Sequence, residues 1–246
     1  MTKTPPLKNS KKHSKPRRAS SAANPVINSA RDSSARIASK APAAKSTRPG
    51  HSSMGEVRII GGEWRGRKLP VLMAEGLRPT SDRVRETLFN WLQFDVAGAR
   101  CLDLFAGSGA LGFEALSRGA REVVFLELDA RNAQQLKLNL NTLKTDRAKV
   151  IQTDSLNWIE QAALCPEKPG TEPPFDLIFI DPPFHQELMQ AAVDKLFISG
   201  IIQTNQAWLY LEQEKHLEWP SLPEGWTCHR EKSTPQVRFG LFCKAS

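Results

Sequence analysis

The sequence predicts an open α/β fold, a mostly parallel sheet with helices on both faces. Three observations predict it. From Arg100 onward, short apolar runs alternate with segments of helical periodicity. A glycine-rich turn, Gly107-Ser-Gly109-Ala-Leu-Gly112, joins one such run to a helix, as in a βαβ unit. Leu177-Ile-Phe-Ile180 reads as a strand buried on both faces, and it stops abruptly at Asp181-Pro182-Pro183-Phe184.

Charge divides the chain before any element is assigned. It has 246 residues and a net charge of +8. Residues 1–54 carry 12 Lys/Arg against one acid, Asp32, whereas residues 55–246 carry 22 Lys/Arg against 25 acids. The first segment is rich in Ser, Ala and Pro, with few large apolar residues. It cannot bury enough surface to offset chain entropy, so 1–54 is expected to be a disordered basic tail. Such a tail suits salt-dependent attraction to RNA phosphates, a solubilising extension or an organelle transit peptide. Met54 stands as an alternative start. Four scattered cysteines (Cys101, Cys165, Cys228, Cys243) without a Cys-x-x-Cys pair fit reduced thiols and argue against a zinc site. No apolar run approaches the roughly 20 residues of a membrane helix. The expected location is the cytoplasm.

Residues 55–80 read as a small hairpin. Val57-Arg-Ile-Ile60 and Glu63-Trp-Arg-Gly-Arg-Lys-Leu-Pro70 flank Gly61-Gly62. Arg58, Arg65, Arg67 and Lys68 gather around Trp64, a composition suited to RNA backbone contact with stacking, or to a charged edge that resists pairing. Residues 81–246 form the main domain. Pro79 leads into its first helix, Thr80 or Ser81 is the candidate N-cap, and Val84, Leu88, Trp91 and Leu92 make one apolar face. Arg78, Arg83 and Arg85 at the helix start oppose the helix dipole. That placement suggests phosphate contact, with an ion pair to Asp82 or Glu86 as the structural alternative.

Arg100–Phe105 is the next strand. The glycine turn then opens a helix running through Ser117, closed by Gly119. Arg121–Leu126 is a strand ending at Glu127. A helix follows with Ala133, Leu136, Leu140 and Leu143 inward, then the strand Lys149–Gln152. Asp154 ends that strand, and Ser155 is placed to cap a helix with Leu156, Ile159 and Ala163 inward. Gly107-x-Gly109-x-x-Gly112 with Glu127 also satisfies a dinucleotide fingerprint, so an NAD-dependent oxidoreductase has to be weighed. Asp103 counts against it, because a carboxylate there suits the ammonium of a methionine moiety better than a pyrophosphate. Glu127 can take ribose hydroxyls in either reading, and Asp154 or Ser155 can meet an adenine edge. Asp103, Glu127, Asp154 and Ser155 are therefore candidate ligands of S-adenosylmethionine, and Phe105, Gly107 and Gly109 of the intervening turn, weak evidence by themselves, are candidates beside them.

Asp181-Pro182-Pro183-Phe184 presents a carboxylate, a stiff carbonyl and an aromatic ring at the carboxyl end of a strand, the edge where open α/β sheets bind ligands. Such a corner suits methyl transfer to an exocyclic amine of a base; the alternative is a strand that simply stops at an Asp-Pro-Pro turn. Asp181 and the Pro182 carbonyl can accept the two amine hydrogens and turn the lone pair out of conjugation, while Phe184 stacks on the base. His185 is a further candidate for that pocket. A helix to Phe197 (Leu188, Ala192, Leu196 inward), a strand Ala207–Leu211, and a hairpin of Trp226–Lys232 and Val237–Cys243 complete the chain.

From about Val57 to the C-terminus the sequence resembles the bacterial 16S ribosomal RNA guanine-N2 methyltransferases. The resemblance is carried by Val57–Pro70, Leu77-Arg-Pro-Thr-Ser-Asp-Arg-Val-Arg-Glu-Thr-Leu-Phe-Asn-Trp91, Leu102–Gly112 and Asp181–Phe184. The first two segments are specific to that family. It implies a Rossmann-like class I domain with a seven-stranded sheet, a small N-terminal β-hairpin extension and S-adenosylmethionine as donor. It further implies the N2 amine of a guanine in 16S rRNA as acceptor, guanine 966 in the family, and a partner that is 16S rRNA or a small-subunit assembly intermediate. A monomer is expected. The alternatives are adenine N6 of DNA or RNA, a protein glutamine, or a non-catalytic RNA-binding assembly factor.

Overall fold

The structure, a computed structural model, describes residues 54–72, 80–164, 174–184, 187–202 and 206–245. The expectations for residues 1–53, Arg78, Cys165 and His185 lie outside the described residues.

The described residues open with β1 (Met54–Arg58) and β2 (Lys68–Leu72), an antiparallel pair that forms its own two-stranded sheet. The first strand begins at Met54, so the described fold starts at the last residue assigned to the tail. The second begins at Lys68 rather than Glu63, because residues 59–67 are occupied in holding another element. Ile60 and Gly61 donate their N–H groups to the Glu114 carboxylate, both at 2.8 Å. Glu63 N–H reaches the Ser117 carbonyl at 2.7 Å and Trp64 N–H the Ser117 hydroxyl at 2.9 Å. Gly62 has φ 76°, and a Cβ there would sit 1.9 Å from the Ser117 carbonyl oxygen, so only glycine allows this approach.

The main domain follows the expected alternation. Its elements are α1 (Asp82–Trp91), β3 (Arg100–Asp103), α2 (Ala110–Ser117), β4 (Glu122–Glu127), α3 (Ala130–Leu143), β5 (Ala148–Gln152), α4 (Ser155–Leu164), β6 (Leu177–Ile180), α5 (Leu188–Ser199), β7 (Trp208–Glu214), β8 (Trp226–Ser233) and β9 (Val237–Lys244). The sheet has seven strands in the order β5-β4-β3-β6-β7-β9-β8. The first five are parallel, and β9 and β8 extend the edge antiparallel.

Burial explains the order. All four residues of β6 and all four of β3 are buried, as strands covered on both faces require. One cluster on one face packs Val84, Leu88, Phe89, Leu116, Phe113, Phe179 and Tyr210, and a second on the other packs Leu102, Val124, Ile178, Ala192, Val193, Leu196 and Leu209. Successive residues of β6, Ile178 and Phe179, thus serve opposite clusters. The strand order reverses between β3 and β6, which places the switch point between the ends of Asp103 and Asp181. Among the described residues no helix is long and apolar enough to cross a membrane.

Candidate active site

A cavity of about 630 Å³ opens over the carboxyl ends of β3, β4, β6 and β7. That volume is in the range of sites for small organic ligands. Phe105, Gly107, Ser108, Leu126, Glu127, Leu128, Asp154 and Ser155 line one side. Thr80, Asp181, Pro182, Pro183, Phe184, Glu212 and the β8–β9 turn Thr234–Val237 line the other.

The first side is built on the glycine turn. Gly107 has φ 52° and donates its N–H to Glu127 Oε2 at 2.7 Å, while Glu127 Oε1 accepts from Asp129 N–H at 2.8 Å. The carboxylate is thereby fixed facing the cavity with lone pairs to spare, a suitable cradle for a vicinal diol. Gly109 has φ 76°, and a Cβ there would lie 2.5 Å from Leu136 Cδ2. It lets the turn close, and it does not line the cavity itself.

Two further sequence expectations change on this side. Asp103 is not on the wall. It is buried beneath the turn, where its Oδ2 accepts from Gly112 N–H at 3.1 Å, so it holds the loop that would hold the ligand. Burial pushes its carboxyl up to about 7, with Asp181 and Glu127 raising it further against the Gly112 hydrogen bond. Ser155 is not the cap of α4. Asp154 caps it, accepting from Asn157 N–H at 2.9 Å, and the Ser155 hydroxyl donates to the Leu104 carbonyl. Gly112 lies against β4, where an added Cβ would meet the Phe125 ring at 2.2 Å.

On the second side, β6 ends and Asp181 turns into the cavity. The Thr80 hydroxyl donates to Asp181 Oδ2 at 3.0 Å, and Ser81, not Thr80, caps α1 through Val84 N–H. Beside it, Ile180 pairs with Leu211, so Asp181 and Glu212 leave neighbouring strands side by side. Glu212 is 5% exposed and its Oε2 accepts from the Tyr210 hydroxyl at 2.6 Å. Burial pushes Asp181 up to about 7 against the Thr80 hydrogen bond, and the Glu214 charge adds to the rise. Burial and then the Asp181 charge push Glu212 well above the carboxylate range. Thr80 as a ligand of Asp181, and Glu212 altogether, were missed from sequence. They are 101 residues before and 31 after Asp181, and only the strand order joins them.

The basic residues divide. Arg65, Arg67 and Arg83 are exposed, as an RNA-contacting role requires. Arg58 and Lys68 are exposed too, paired at 2.8 Å with Asp82 and Glu56. Trp64 and Arg85 are not at the surface. Trp64 is 4% exposed and packs in the core, with the Arg147 guanidinium 5.4 Å from its ring centroid. Arg85 is 1% exposed; it bonds the Thr80 and Arg58 carbonyls and Asp82, and lies 3.7 Å from the buried Glu114 carboxylate. A cation buried among carbonyls and carboxylates is structural. The signal for it was Glu114, a charge inside the otherwise uncharged helix Ala110–Ser117.

Residues 57–243 match the family described as Conserved hypothetical protein 95. The curated Ribosomal RNA small subunit methyltransferase D of Haemophilus influenzae is 51% identical over 194 residues, covering 78% of this chain and 95% of its own. The protein of that name from Escherichia coli strain K12 is 46% identical over 195 residues, covering 79% and 93%. A solved structure from Escherichia coli is 42% identical with a TM-score of 0.69, covering 78% of this chain and 99% of that one. A more distant structure, complexed with SAH, is 15% identical with a TM-score of 0.57 and covers 71% of this chain and 53% of that one. At that identity it shows the fold alone.

Proposed function

The chain belongs to the family described as Conserved hypothetical protein 95, and from that premise we propose that it is an rRNA methyltransferase. In this reading it moves the methyl group of S-adenosylmethionine to the exocyclic N2 amine of a guanine in 16S rRNA, guanine 966 being the target by resemblance. The names of the two curated relatives support the rRNA substrate. The observation that carries the chemistry is the placement of Asp181 and Pro182 across one cavity from Glu127 and Asp154.

The residues present fit the donor. Glu127 suits its ribose diol, Asp154 its adenine amine, and Phe105, Leu126 and Leu128 its apolar surfaces. The second side is acidic, through Asp181 and Glu212, which disfavours a dinucleotide spanning the same cavity. S-adenosylmethionine supplies a sulfonium methyl, whose C–S bond breaks as the N–C bond forms.

The acceptor side prepares the amine. An exocyclic amine is a weak nucleophile while its lone pair is delocalised into the ring. Asp181, held by Thr80, accepts one amine hydrogen and the Pro182 carbonyl the other, so the lone pair points across the cavity. Phe184 stacks on the splayed base. The amine proton becomes acidic only after the methyl arrives, and a carboxylate such as Asp181 then takes it. No strong base is needed beforehand. Arg65, Arg67 and Arg83 give exposed charge for the RNA backbone.

The test is incubation of small-subunit RNA, free and protein-bound, with methyl-labelled S-adenosylmethionine. Label enters RNA with the wild type and enters about 100-fold or more slowly with Asp181→Ala. A protein that binds the donor but labels neither RNA would overturn the proposal.

A further inference from the structure

The acceptor side holds a second carboxyl that the transfer step does not use. Glu212 is buried, lines the cavity, and stands on β7 beside Asp181. Its Oε2 takes the Tyr210 hydroxyl hydrogen. A buried phenol can be satisfied by a carbonyl, so this partner alone does not require a carboxyl next to another carboxyl. The strand order adds a direction. β7 lies on the side of β6 away from β3 and β4, so Glu212 sits beyond Asp181 as seen from Glu127 and Asp154. A base that presents its amine to Asp181 lays its neighbouring ring edge over Glu212.

We propose that Glu212 selects guanine by accepting its ring N1–H while Asp181 holds the adjoining amine. This rests on the guanine-N2 reading above and deepens it. The chemistry discriminates sharply. In guanine the amine-bearing carbon is bonded to N1, which carries a hydrogen. In adenine and cytosine the corresponding ring nitrogens are bare acceptors and offer Glu212 no hydrogen; guanine's N1–H does, and by donating it favours the ionised Glu212 against the burial that otherwise holds a proton there. Paired carboxyls on adjacent strands therefore match one edge, amine plus N–H, and reject the others. The Tyr210 hydroxyl fixes the Glu212 rotamer and leaves Oε1 for the base. Glu212 is thus a specificity-determining residue.

The experiment uses the wild type and Glu212→Gln on small-subunit RNA in which the methylated guanosine, once mapped, is replaced by 2-aminopurine. That base keeps the amine and has a bare N1. The wild type is expected to lose about 100-fold or more in kcat/KM on the analogue, as a site built around an N–H does when it is missing. Glu212→Gln carries an amide that can donate to the bare nitrogen. Its preference for guanine is expected to shrink to about tenfold or less, with S-adenosylmethionine affinity unchanged. Equal wild-type rates on the two RNAs would overturn the assignment without reference to any variant. So would an undiminished preference in Glu212→Gln. Absence of methylation on the unmodified RNA would instead overturn the underlying guanine-N2 reading.

Discussion

Replacing Asp181 by alanine separates the roles of the two sides of the cavity. Asp181 contacts Thr80 and lies beside Glu212, and it is not among the groups facing the donor side. Its loss removes the hydrogen-bond acceptor that aims the amine. Removing one preorganised partner of a transition state typically costs about 100- to 1000-fold in kcat, and that is the expected fall. Two stability effects oppose each other. The buried Thr80 hydroxyl loses its acceptor, which costs about 1–3 kcal/mol. Against this, a carboxyl is removed from a cavity where it crowds Glu212, which is favourable. At about 2–4 °C per kcal/mol for a domain of this size, the melting temperature should move by only a few degrees. Single-turnover kinetics on small-subunit RNA, with calorimetry for S-adenosylmethionine, reads both quantities. Turnover within about tenfold of wild type would refute the orienting role. A fall in donor affinity matching the fall in rate would refute the division of the cavity.

Other perturbations follow from the same contacts. Trp64→Ala should cost about 3–5 kcal/mol, read as a lower urea midpoint, because the indole is core; an unchanged midpoint with weakened RNA binding would restore it to the surface. Arg67→Gln should lower the slope of log affinity against log salt by about one while leaving turnover at saturating RNA unchanged. Asp181 has its carboxyl raised to about 7 and accepts an amine hydrogen only when ionised, so single-turnover rates should rise with pH and level off above about 7. The sign for stability is opposite. Between about pH 4 and 7 the folded state keeps a proton on Asp181 that the unfolded chain has released. Its contribution therefore falls as pH rises through that window, and Asp181→Ala should gain on the wild type in urea midpoint from pH 5 to pH 8.

Much of the fold was readable because it rests on local pattern. The apolar run Leu177–Ile180, the glycine turn and the 3.6-residue spacing of Leu136, Leu140 and Leu143 each imply their burial. The strand ends Glu127, Asp154 and Asp181 followed, since a strand that stops at the sheet's carboxyl edge delivers its next residue to the site. What escaped the sequence depends on contacts between distant segments. Trp64 and Arg85 look like surface groups among other cations. They are buried because Glu114 and Ser117 on α2 accept the backbone of residues 60–64, drawing that loop and Arg85 inward. Asp103 had the right neighbourhood and a different task, as the Gly112 N–H in the first turn of α2 reaches it first. Glu212 was hidden because β7 reads as an ordinary strand until its place beside β6 is known.

The most direct measurement is nucleoside mass spectrometry of small-subunit RNA after incubation with this protein and S-adenosylmethionine. New N2-methylguanosine is predicted, formed about 100-fold or more slowly when Asp181→Ala replaces the wild type. Methyladenosine in its place would keep the fold and donor and contradict the account of the acceptor side. No methylated nucleoside in free or protein-bound RNA, with the donor still bound, would contradict the claim that this cavity performs methyl transfer to rRNA.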